Sequence, residues 1–171
     1  MSARPSSAAT AAENALEVRF EKLTPEYLDA LLDVEFSAYS HPWTRGNFID
    51  SLAAGYAAEL LEADEQPVGY FLAMAGVDEM HLLNLTVAPA QQGLGYGSLL
   101  LQRVQALARQ RGLPRLLLEV RASNTRARGL YLRRGFADLG LRRGYYPAAQ
   151  GREDAQVMSL DLATGAPHGL D

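Results

Sequence analysis

The 171-residue chain has no cysteine, which excludes disulfides, thiolate metal sites and a cysteine nucleophile. Lysine is almost missing too. Lys22 is the only one, and this removes the Gly-x-x-x-x-Gly-Lys-Ser/Thr loop of nucleoside triphosphatases. No run approaches the ~20 apolar residues of a membrane-spanning helix, so no membrane partner is expected. The three histidines, His41, His81 and His168, have none of the spacings that metal sites use, and no metal is expected. Basic runs interleaved with aromatics are absent and the net charge is −4, so nucleic acid is not an expected partner.

The hydrophobic content of 48% and the length suit one globular domain with a real core, over about residues 15–162. Residues 1–14 are rich in alanine and serine without a strongly apolar centre. They read as a disordered extension rather than a secretory signal, and residues 163–171 as a flexible tail. Charge is lopsided: residues 1–100 hold four basic and fourteen acidic side chains, residues 101–171 twelve and six. The positive half follows a glycine-rich turn where a polyanion would benefit from it, although solvated helix faces would look the same.

That turn is the most informative segment. The apolar stretch Leu83-Asn84-Leu85-Thr86-Val87 ends at Pro89. Gln91-Gln92-Gly93-Leu94-Gly95-Tyr96-Gly97 follows, and an amphipathic helix begins at once. A helix start carries unpaired N–H groups and partial positive charge, and glycines let an anion approach them. A dinucleotide fingerprint fits poorly, because the third glycine comes one residue early. The other readings are a Gln/Arg-x-x-Gly-x-Gly/Ala phosphate loop, matched from Gln92 to Gly97, and a plain strand-to-helix turn.

Periodicity supplies the elements. Leu16–Leu23 alternates as a strand. Thr24-Pro25-Glu26 predicts a helix start, with Leu28, Leu31, Leu32 and Phe36 on the buried face. His41-Pro42-Trp43 breaks that helix, and Thr44 caps a second through about Leu52. Tyr56–Glu62, Pro67–Ala75 and Glu79–Val87 predict an antiparallel meander. A helix over Gly95–Gln110 leads to the nearly continuous apolar run Arg115–Val120, a strand parallel to the one before it. Ser123-Asn124 caps a helix through Arg134, and Ala137–Tyr145 and Ala155–Asp161 are the last strands. The fold class is α/β (α+β): a mixed, mostly antiparallel sheet of six to seven strands, a central β-α-β crossover and about four helices.

The second half holds the block Leu118-Glu119-Val120-Arg121-Ala122-Ser123-Asn124, then Leu130-Tyr131, Gly135-Phe136, Tyr145-Tyr146-Pro147 and Gly151-Arg152-Glu153-Asp154. With the glycine turn and His41-Pro42-Trp43, this resembles the ribosomal-protein-alanine N-acetyltransferase branch of the GNAT superfamily over about residues 16–162. The resemblance implies the GNAT fold and acetyl-CoA as cosubstrate. It further implies a cytoplasmic enzyme whose partner is the N-terminal peptide of a small-subunit ribosomal protein. Gln91 and Tyr96 stand where arginine is common in that family, and Gly144 where asparagine is.

By the same resemblance Glu119 is the general base and Tyr131 the general acid. A carboxylate closing an apolar strand is suited to that task, unless it pairs with Arg121. Leu85, Thr86 and Val87 would present backbone to the acetyl and pantetheine portions, at a splay between their strand and Arg115–Val120. Gln91, Gln92, Gly93, Leu94, Gly95, Tyr96, Gly97 and Asn124 would bind the rest of the cofactor. Trp43, Tyr145 and Tyr146 would wall a peptide slot. The reading requires Glu119 to lie on the same side of the sheet as the glycine turn. Alternatives are acetylation of lysine side chains or small amines, a non-catalytic acyl-CoA-binding module, and a dinucleotide oxidoreductase.

Overall fold

Residues 17–163 are described by the structure, a computed structural model. The expected extension 1–14 and, apart from Ala163, the expected tail lie outside them. In chain order the elements are β1 (Val18–Lys22), α1 (Leu28–Ala38), α2 (Arg45–Ala53), β2 (Ala57–Ala63), β3 (Gln66–Ala75) and β4 (Glu79–Val87). There follow α3 (Tyr96–Gln110), β5 (Arg115–Arg121), α4 (Thr125–Arg133), β6 (Ala137–Pro147) and β7 (Arg152–Asp161). The seven strands form one sheet in the order β1-β2-β3-β4-β5-β7-β6. Every pairing is antiparallel except β4 with β5, which α3 joins as a crossover.

α3 packs on one face of the sheet. Leu100, Leu101, Val104 and Ala108 are fully buried, in one cluster with Phe71, Met80, Leu116 and Leu118. Each such leucine contributes roughly 1.5–3 kcal/mol by leaving water. α1 and α2 share a second cluster, where Leu28, Leu31 and Phe48 meet Leu60, Tyr70 and Leu72. Strand alternation separates the two sets: Leu60, Tyr70 and Leu72 alternate with Leu61 and Phe71.

Two local expectations fail in α1. Thr24 has extended backbone, but its hydroxyl is buried and makes no cap bond. Pro25–Tyr27 therefore form a 3-10 turn before the α-helix begins at Leu28. Phe36 is 56% exposed, while Glu35 takes the inward place, one turn beyond Leu31 and two beyond Leu28. The α2 start is as expected, with a full capping box between Thr44 and Asn47.

β4 carries a bulge. Leu72 pairs with Asn84 and Ala73 with Leu82, which leaves Leu83 as the extra residue. The parallel ladder between β4 and β5 stops at the same level, running only from Glu79–Leu82 against Arg115–Leu118. A bulge disrupts pairing and increases local twist, so the C-terminal ends of β4 and β5 diverge.

Candidate active site

Leu85, Thr86, Val87 and Glu119 all lie beyond the last β4–β5 pair. A cavity of about 350 Å³ occupies the opening, and Glu35, Tyr39, Trp43, Leu85, Glu119, Asn124, Tyr131 and Tyr146 are among its walls. A second cavity, of about 530 Å³, runs along the glycine turn. It includes Thr86, Val87, Gln91, Gln92, Gly93, Gly95, Tyr96 and Gly97. The two share Tyr39, Leu85, Asn124 and Ala127, so they form one continuous cleft. A third, of about 380 Å³, adds Tyr145 and Arg142 beside Trp43, Glu119 and Tyr146.

The face occupied by Glu119 differs from expectation. Leu116, Leu118 and Val120 point into the cluster beneath α3, so the alternating Glu119 points to the opposite face. The requirement that acid and turn share a face therefore fails. What the chemistry needs is one shared cleft, and Glu119 borders the cleft that continues to the glycine turn, because the sheet is open at this level and the cleft passes between the strands. The Glu119 carboxylate pairs with Arg142, Nε to Oε1 at 3.0 Å, rather than with Arg121. Arg121 instead donates to Glu153 at 3.2 Å and to the Pro147 carbonyl at 2.8 Å. Tyr145 hydrogen-bonds to Glu119, and this bond is the first cause that raises its phenol above the ordinary value.

Tyr131 is 6% exposed, tilted against Phe136, and reaches the cleft from α4. Burial raises its phenol well above the ordinary range, and the neighbouring Tyr39 and Tyr146 phenols add to the shift. Tyr146 is pushed up to about 12, again first by burial. Arg121 lies 4.6 Å from the Tyr146 ring and Arg142 5.4 Å from that of Tyr145. The guanidinium groups thus brace both aromatic walls. Trp43 contributes to the wall while packing its ring on Phe48.

The turn gains its shape from glycine. Gly93 (φ +81) and Gly95 (φ +92) have left-handed backbone, which glycine adopts without a steric penalty. Nothing lies within 4 Å of where a Cβ on Gly95 would stand. A Cβ on Gly97 would sit 3.1 Å from Leu130, so this glycine lets α3 and α4 approach. Two expected members behave differently. Leu94 is 65% exposed and stands outside the cavity lining, and the Tyr96 side chain is largely core. Asn124 caps α4, accepting from Ala127 N–H at 3.1 Å, and borders both cavities.

Sequence reasoning missed Glu35, Tyr39 and Arg126. Glu35 is 1% exposed, accepting hydrogen bonds from the Tyr70 hydroxyl and from Trp43 N–H at 3.0 Å. Burial nonetheless pushes its carboxyl up, with those two bonds opposing. Its signal was an acid inside an apolar helical stripe. Tyr39 bonds to Thr86 Oγ1 at 2.9 Å, and Thr86 donates to Asn84 Oδ1 at 2.8 Å. This fastens the divergent end of β4 to the end of α1. Nothing local in the sequence marks Tyr39, since only the tertiary fold brings it there.

Residues 21–136 match the acetyltransferase (GNAT) family. The ribosomal protein bS18-alanine N-acetyltransferase of Salmonella typhimurium is 37% identical over 136 residues, 80% of this chain and 92% of that one. Its Escherichia coli counterpart is 35% identical with the same coverage. The crystal structure of the ribosomal-protein-S18-alanine N-acetyltransferase from Escherichia coli superposes with a TM-score of 0.81. It is 32% identical, with 91% of this chain and 99% of that one covered. Naa50 of Arabidopsis thaliana, solved with the bisubstrate analogue CoA-Ac-MVNAL, shares the fold at 20% identity and a TM-score of 0.74, covering 84% of this chain and 98% of that one. Family match, relatives and sheet topology agree: the chain is an acyltransferase with the GNAT fold and belongs to the ribosomal-protein-alanine N-acetyltransferase branch of the GNAT family.

Proposed function

We propose that this protein transfers the acetyl group of acetyl-CoA directly to the α-amine of an N-terminal alanine on a small-subunit ribosomal protein, in the cytoplasm. The observation that carries the reading is the cleft itself. It passes between the ends of β4 and β5, with Glu119 and Tyr131 on its walls and the glycine turn at one end. Relatives named for this activity at 35–37% identity support the substrate class.

The residues fit the cosubstrate. Gly95 has open space where any side chain would intrude, and the amides of the α3 start complement anionic charge. Bound acetyl-CoA supplies a thioester carbonyl as electrophile and a thiolate leaving group. The backbone of β4 past Leu82 lacks a β5 partner, so its groups facing the gap are free to orient the acyl arm. Glu119 takes the first proton from the substrate ammonium, whose ordinary pKa of about 7.7–8.0 makes that step easy near neutrality and leaves a neutral amine to attack the thioester carbonyl. For this, Arg142 and Tyr145 must yield the carboxylate, and both lie on its open side in exposed positions. Tyr131, kept protonated by burial, gives a proton to the departing sulfur and is reprotonated by the second proton that the nitrogen sheds as the amide forms. Trp43, Tyr145 and Tyr146 flank the entering peptide.

Incubation with acetyl-CoA and peptides differing at the first residue tests the assignment. Thiol release is expected with N-terminal alanine, and not with a blocked terminus beside a free lysine. Release from the blocked lysine peptide alone would move the substrate to side-chain amines. Glu119→Gln is expected to lower kcat by about 10²–10⁴-fold with little change in acetyl-CoA affinity. Equal losses in both would refute a base role.

A further inference from the structure

No lysine or arginine occurs between Arg45 and Arg103, so β4, the glycine turn and the first turn of α3 carry no cation of their own. No aspartate or glutamate lines the cavity beside that turn, and its two charged walls are Arg126 and Arg133 of α4. Among the described residues, neither guanidinium has a carboxylate partner. By contrast Arg128, on the same helix, pairs with Asp138.

Arg126 is held in place. Its Nη1 donates to Gln92 Oε1 at 2.6 Å, and Gln92 Nε2 donates to the Val87 carbonyl at 3.1 Å. Both ends of that amide are therefore engaged within the protein, bridging the end of β4 to α4. Arg126 Nη2 lies 3.9 Å from where a Cβ on Gly93 would stand, so the charge hangs beside the turn.

We propose that Arg126, positioned by Gln92 and assisted by Arg133, is the cationic contact for the phosphate groups of the acyl donor. The inference rests on acetyl-CoA being that donor. A helix start supplies only partial charge, and a guanidinium fork adds full charge with paired donors matched to phosphate oxygens. The role of Gln92 changes accordingly: its side chain aims the arginine rather than touching phosphate.

Calorimetric binding of CoA and of 3′-dephospho-CoA to wild type, Arg126→Gln, Arg126→Lys and Arg133→Gln tests this. Arg126→Gln is expected to weaken CoA about tenfold, the loss of one charge-assisted contact, with Arg126→Lys recovering part. The penalty should shrink as ionic strength rises from about 0.01 M to about 1 M, because the site is open to solvent. A penalty that persists with 3′-dephospho-CoA assigns Arg126 to the diphosphate, and one that vanishes assigns it to the 3′-phosphate. Unchanged CoA affinity in Arg126→Gln, or a loss independent of salt, overturns the proposal alone. Failure of the wild type to bind either compound overturns the acetyl-CoA reading with it.

Discussion

Three phenols surround the first cavity, Tyr39, Tyr131 and Tyr146, and burial is the leading cause that raises each of them. A phenol raised in the folded state has bound its proton more tightly than in the unfolded chain. Its contribution to stability is complete below the unfolded value of about 10 and is lost as pH rises above it. Tyr131→Phe should therefore lower kcat by about 10²-fold at neutral pH, through loss of an acid that is fully protonated there. It should also reduce the fall in urea midpoint between about pH 9 and pH 11. An unchanged kcat would remove Tyr131 from the chemistry. At this scale the sequence was partly readable. Glu119 stood out as an acid closing an apolar run, whereas a tyrosine on a helix is no different from a core aromatic without its surrounding motif. Glu35 was visible only as an anomaly in a stripe, and Arg142 as the partner of Glu119 was not foreseen, because it arrives from a strand 23 positions away.

Among elements, the meeting of β3 with β4 is the most constrained. A Cβ on Gly69 would stand 2.5 Å from the Thr86 carbonyl oxygen and 3.1 Å from Leu100 Cδ1. Gly69→Ala must displace the end of β4 or the first turns of α3. A loss of about 1–3 kcal/mol in unfolding free energy is expected, together with weaker CoA binding. Gly140→Ala, with nothing within 4 Å, is the control and should alter neither. If Gly69→Ala lowered stability but left CoA affinity intact, the β4 end would be less tightly coupled to the ligand cleft than the geometry implies. Element types and most boundaries were legible from periodicity and caps, as with Thr44 and Asn124. The order of the last strands was not. β7 inserts between β5 and β6, and such long-range pairing leaves no mark on local alternation. The 3-10 turn at Pro25–Tyr27 was hidden for a different reason: the cap residue is right, but its hydroxyl is buried.

On the scale of the whole molecule, helices cover both faces of one sheet and the proposed substrate opening lies between two strands instead of on either face. Composition foretold a basic second half, and α4 brings part of that charge to the glycine turn, but it did not foretell that the core would divide into two clusters, one on each face of the sheet. It did not foretell that acid and turn would occupy opposite faces, because that depends on where a ladder stops. The four paired rungs joining β4 to β5 leave amides beyond Leu82 and Leu118 with no neighbour across the gap. In the free protein those amides are expected to exchange with deuterium quickly, beside slow ones in the same strands whose bonds to β3 and β7 are intact. Filling the gap with CoA or acetyl-CoA should slow the fast set selectively, so that isotope uptake maps the seam where the two halves of the sheet are stitched together by a guest.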